Sequence, residues 1–99
     1  MVHHLTADRV ESMARNGQAV VVDVRESSEY KRGHIPRSRH IPLGQLLARL
    51  REVAKDKTIV VVCQSGNRSS RACELLQQAG YRHVYNLAGG MNSWKGALD

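Results

Sequence analysis

Two β-branched runs and three apolar stripes of helical spacing organise the chain. The runs are AVVVDV at 19–24 and TIVVVC at 58–63, almost unbroken by polar residues. A strand with one wet face would alternate, so each run predicts a strand buried on both faces, as parallel sheets require. Ahead of the first run, Thr6 fits a helix N-cap, Val10, Met13 and Ala14 recur at helical spacing, and Gly17 marks the stop. Between the runs, a short helical turn is expected over 27–33, then proline-bounded extended chain through HIPRSRHIP. Leu43, Leu46, Leu47, Leu50, Val53 and Ala54 follow the i, i+3, i+4, i+7 rule and predict an amphipathic helix. After the second run, polar QSGN leads into a helix with Ala72, Leu75, Leu76 and Ala79 on one face and Gly80 at its end. Residues 83–86 read as a last strand, and GGMNSW as the opening of a short terminal helix.

Strands separated by helices imply right-handed crossovers, hence an α/β fold with a doubly wound, mainly parallel sheet and helices on both faces. Ligands in such folds sit beyond the carboxyl ends of the strands. Cys63 stands at one of those ends.

Composition narrows the class. With 99 residues, 41% hydrophobic and 24% charged, the chain suits one globular domain over 1–99, with a folded surface of roughly 5,700 Å². No stretch approaches the roughly 18 apolar residues of a membrane span. Charges at Asp8, Arg9, Glu11 and Arg15 interrupt any secretory apolar region, so a cytoplasmic location is expected. Two cysteines without zinc-like spacing should be free thiols. The net charge of +6 favours anionic partners. Nucleic acid fits poorly, since the basic residues are dispersed, only three Tyr and one Trp are available for stacking, and no nucleic-acid motif is present. A monomer or weak dimer is expected.

The stretch Cys63-Gln64-Ser65-Gly66-Asn67-Arg68-Ser69-Ser70 sets a thiol at a strand end, a small polar loop after it, and a helix N-terminus beyond. Loop and first-turn amides can converge there as an anion nest, aided by the helix dipole. A sulfur in that cradle ionises below its free value of about 8.5. A lone strand-end cysteine is more often a small buried hydrophobe. The Gly66 and Arg68 spacing and the hydroxyls of Ser65, Ser69 and Ser70 favour catalysis or sulfur carriage instead.

Three motifs in order, VVDVRESSEYKRGHIP, CQSGNRS and YNLAGGMNSW, cover nearly the whole chain. On them the chain resembles the single-domain rhodanese sulfurtransferases. The resemblance implies a sheet of about five parallel strands, with Cys63 as the nucleophile that takes up a sulfane sulfur. It also implies that the backbone of residues 64–69 holds the persulfide, so that Gln64, Ser65, Gly66, Asn67, Arg68 and Ser69 bind substrate. The implied reaction moves sulfur from thiosulfate or a similar small anionic donor to cyanide or a thiol, without metal or organic cofactor. The alternative within this likeness is a persulfide carrier or regulatory module serving a partner protein. The related cell-cycle phosphatases and arsenate reductases use a longer C-x5-R loop; here Arg68 is five positions after Cys63, giving C-x4-R. The shorter loop argues against phosphate or arsenate chemistry.

Asp23 is expected to be a structural acceptor for loop amides. Arg25 is expected either to pair with Glu26 or Glu29 or to line the pocket mouth and meet the donor. His34, His3 and His4 have no catalytic role in a preionised-thiol mechanism, and Cys73 and Trp94 read as packing. Where rhodaneses carry small residues after Gly-His-Ile-Pro, this chain has Arg37-Ser38-Arg39-His40. Arg37 puts the family's turn in question, and the added charge suits an acidic protein acceptor as well as a plain solvated edge.

Overall fold

The computed structural model describes residues 1–99. The two β-branched runs become β2 (Val20–Asp23) and β4 (Ile59–Val62) and pair in parallel at the centre of the sheet, Val20 opposite Ile59 and Asp23 opposite Val62. Strand β5 (Val84–Leu87) flanks β4, and short strands β1 (His3–Leu5) and β3 (Arg39–His40) form the edges. All neighbours are parallel, in the order β1-β5-β4-β2-β3. This is the doubly wound α/β sheet the alternation of elements predicts.

Alternate residues of the central strands feed two separate cores. Val22, Val24, Ile59, Val61 and Cys63 meet α3 (Asn67–Gln78) through Ala72, Cys73 and Leu76 on one face. Val21, Val60 and Val62 meet Val10 of α1 (Ala7–Arg15), Ile35 and Leu87 on the other. Thr6 caps α1 by accepting from the Arg9 amide at 3.4 Å, as its sequence position predicts. The short helix α2 (Ser27–Lys31) is held by a reciprocal capping box between Glu26 and Glu29.

The segment predicted as one amphipathic helix is instead two 3₁₀ stretches, Leu43–Gln45 and Leu47–Glu52, with non-helical backbone at Arg49. Its task is narrow. Only Leu46 and Val53 are fully buried there, while Leu47 is 58% exposed, so the leucine stripe does not demand an α-helix. Arg49 bonds Glu52, Gln45 and the His40 carbonyl, and the Tyr81 hydroxyl lies within hydrogen-bond distance of the carbonyls of Val53 and Leu50, at 2.7 and 3.0 Å. The Tyr81 contacts serve carbonyls that a continuous helix would satisfy internally.

Arg37 itself adopts φ 66°, the only non-glycine with positive φ. This left-handed conformation carries a cost of about 1–2 kcal/mol for a residue with a side chain. The chain then reaches β3, an edge strand of two residues. No helix of the structure is long and apolar enough to cross a membrane.

Candidate active site

Strand β4 delivers Cys63 to the carboxyl edge of the sheet, and Gly66 turns the chain into α3. Gly66 has φ 104°, in the range that favours glycine, and precedes the first helical residue. Its N–H consequently points back at the Cys63 sulfur, 3.0 Å from Sγ, while the Ser69 hydroxyl approaches at 3.2 Å. Burial pushes the Cys63 thiol up. The Ser69 hydroxyl and the backbone amides of Ser69, Gly66 and Ser65 outweigh it, so the net shift is downward from the ordinary thiol value. The predicted anion nest is thus built around sulfur at the head of α3.

A second turn clamps the same strand end from the opposite side. Met91 and Asn92 donate backbone N–H groups to the carbonyls of Cys63 and Gln64, at 2.9 and 3.0 Å. Gln64 is tied at both ends of its amide, accepting from Arg25 at 3.2 Å and donating to Asn92 Oδ1 at 2.8 Å. It lines a cleft of about 340 Å³ with Arg25, Glu29, Arg32, Gly33, Met91 and Leu98. Cys63 is fully buried and does not itself line this cleft, although its neighbour Gln64 does. Another cavity of about 200 Å³ lies among Ala14, Ile35, Pro36, Arg37 and Trp94 and contains no thiol.

The expected partners of Arg25 are not the observed ones. Instead of Glu26 or Glu29 it pairs with buried Asp23 at 2.8 Å and also donates to the Gly33 carbonyl at 2.8 Å. Asp23 further accepts the Arg25 backbone N–H at 3.0 Å, in keeping with a structural acceptor. With Gln64 included, four of the five guanidinium N–H groups are engaged internally. Arg25 therefore borders the cleft chiefly as a brace.

Arg68 is likewise committed. It grips Glu29 with both terminal nitrogens, at 2.7 and 2.8 Å, and ties α3 to α2. The Arg68 side chain holds the Glu29 carboxyl down to about 2. Ser65 and Asn67 are exposed, whereas Ser69 is buried against the sulfur. Cys73 packs in the core, where burial first and the nearby Cys63 and Glu74 charges second push its thiol up to about 12.

Sequence reasoning offered Glu29 as a partner of Arg25 rather than of Arg68, and missed Asn86. Asn86, 2% exposed on β5, contacts the Ser69 hydroxyl through Oδ1 and donates through Nδ2 to the Gly66 carbonyl and Ser70. Its signal was a polar residue inside an otherwise apolar strand, VYNL.

The rhodanese-like domain family matches residues 6–97. The chain belongs to that family. It is 42% identical over 81 residues to Bacillus subtilis YqhL and 40% identical over 79 residues to the putative sulfur carrier protein YrkF of the same organism. These stretches are 82% and 80% of this chain, yet span only 64% and 43% of those relatives. An Allochromatium vinosum sulfurtransferase is 35% identical over 95 residues, covering 95% of this chain and 89% of the relative. Among solved structures, a rhodanese-related protein of Thermoplasma volcanium superposes with a TM-score of 0.90 at 30% identity, over 98% of this chain and 97% of that one.

Proposed function

We propose that residues 1–99 act as one sulfurtransferase domain in which Cys63 carries sulfur between a small anionic donor and a thiophilic acceptor. The observation that carries this reading is the hydrogen-bonded Sγ, held by the Gly66 amide and the Ser69 hydroxyl at the head of α3. With thiosulfate, the Cys63 thiolate attacks the outer sulfur, the S–S bond to the sulfonate breaks, and sulfite leaves with the bonding pair. The negative charge stays on the new outer sulfur, and no proton moves. Cyanide or a thiolate then removes that sulfur and regenerates the Cys63 thiolate. Neither half requires a metal or organic cofactor.

The family's longer-loop phosphatase chemistry is disfavoured by Arg68, whose guanidinium grips Glu29 and is not free to hold a phosphoryl group. Full burial of Sγ favours one second reading, a carrier that discharges only when a partner protein opens the loop. Arg39 is paired with Glu52, and Arg37 lines the other cavity. The cleft cation an acidic acceptor would meet is therefore Arg32.

Cys63→Ser is expected to abolish both thiosulfate-to-cyanide transfer and the gain of one sulfur atom seen by mass spectrometry after incubation with donor. Retention of either by the variant would sink the assignment. Rapid loading without turnover to small acceptors would identify the carrier.

A further inference from the structure

Ser69 has one hydroxyl proton and two acceptors. One is Cys63 Sγ at 3.2 Å and the other is Asn86 Oδ1. The orientation of the Asn86 amide follows from its other contacts. Its nitrogen faces the Gly66 carbonyl at 3.2 Å, which accepts only, and Ser70 Oγ at 3.0 Å, whose own proton already goes to Gly66. His4 Nδ1 lies at 3.2 Å from the same nitrogen. The oxygen is thus the atom turned to Ser69, and a carboxamide oxygen only accepts.

The competition has a different outcome in each state of the sulfur. With a thiol, S–H can donate to Ser69 while Ser69 donates to Asn86, so every group is satisfied. A thiolate accepts only, and the single Ser69 proton cannot serve both neighbours. In a persulfide the charge moves to the outer sulfur, leaving Sγ a weak acceptor, and the proton is free for Asn86. Resting on the sulfur-transfer reading above, we propose that Asn86 is a positioning residue that competes with Cys63 for the Ser69 proton, restraining the free thiolate and favouring the loaded form.

The kinetic signature is a split. A less basic thiolate attacks more slowly but leaves faster, with a Brønsted slope of about 0.4–0.5. At a pH where Cys63 is fully ionised, removing the competitor should therefore slow sulfur loading by about two- to threefold for every tenfold gain in Cys63 acidity, and speed discharge. A residue that merely held the loop would do the reverse, because a loosened cradle stabilises the thiolate less.

The test is the pH dependence of iodoacetamide alkylation, quantified on the Cys63 peptide, for the intact protein, Asn86→Ala and the shape-preserving Asn86→Leu. Each variant is also made in a Ser69→Ala background. The expected result is a downward shift of the alkylation midpoint in both Asn86 variants and no shift when Ser69 is absent. An unchanged or raised midpoint, or an equal shift in the Ser69→Ala background, would overturn the proposal. Should both variants fold poorly, the Asn86 side-chain carbonyl carbon is followed by NMR in the unsubstituted protein. It should titrate together with Cys63 and lose that response in Cys63→Ala; a flat signal in the unsubstituted protein contradicts the competition. These readouts need no sulfur donor, so failure of thiosulfate loading would overturn the functional reading and the effect on the loaded form, and leave the competition for the Ser69 proton standing.

Discussion

Gly90 shows how little room single residues leave around the sulfur. It lies at φ 60°, and a Cβ there would sit 2.4 Å from the Cys63 carbonyl oxygen and 2.6 Å from that of Gln64. Both obstacles are backbone and cannot swing aside. Gly90→Ala is therefore expected to cost more than the about 1–2 kcal/mol of left-handed strain alone, and to displace the strand end that carries Cys63. Denaturant unfolding together with the Cys63 alkylation rate would check this; a variant matching the parent in both would show that the clamp is not needed. At this scale the thiol, the loop and the helix head were legible, because strand, glycine and hydroxyl positions define them locally. Glu29 and Asn86 were not, since their partners are fixed by how α2 and β5 pack against the loop. Arg25 had two plausible acidic neighbours in sequence, and chose a third, Asp23, that shares its burial.

Among the elements, the long buried strands and the two longer helices could be read directly, because each buries a regular apolar pattern. The edge strands could not. His3–Leu5 and Arg39–His40 are short and polar, as edges that avoid further pairing tend to be, and so carry no strand signal of their own. The contact between α2 and α3 has a consequence in acid. Glu29 titrates at about 2 in the folded protein against an ordinary value of 4.5. A carboxyl lowered on folding contributes stability that is complete above the ordinary value and is lost as pH falls through the folded one. The pair is partly exposed, so solvent screening limits the contribution to about 0.5–1 kcal/mol despite the size of the shift. Glu29→Gln should be less stable than the parent by about that amount at neutral pH, with the gap closing between about 4.5 and 2. Denaturant melts at stepped pH would show it, and a gap that stays constant into strong acid would mean that α2 and α3 are held together by other contacts.

The charge of the whole molecule acts over a distance set by salt. At about 0.01 M ionic strength the screening length is about 30 Å, the same as the longest dimension of the chain at 30 Å. The full +6 is then felt by an approaching anion. At about 0.1 M the length falls to about 10 Å, and only cations near the cleft count. Of the two arginines that line it, Arg25 is neutralised by Asp23, and the lining carboxylate Glu29 is held by Arg68, so Arg32 supplies the local positive charge. Two components of steering should therefore separate. Raising ionic strength from about 0.01 to 0.15 M should lower kcat/KM for dianionic thiosulfate several-fold, as the distant charges drop out. Arg32→Gln should remove most of the dependence on donor charge that persists at the higher salt. Alkylation of Cys63 by neutral iodoacetamide should respond to neither change, which separates steering of the donor from any effect on the thiolate itself. An equal loss of rate for the neutral reagent would place the effect in the loop, and a salt-independent kcat/KM would show that the excess charge serves something other than capture of the donor.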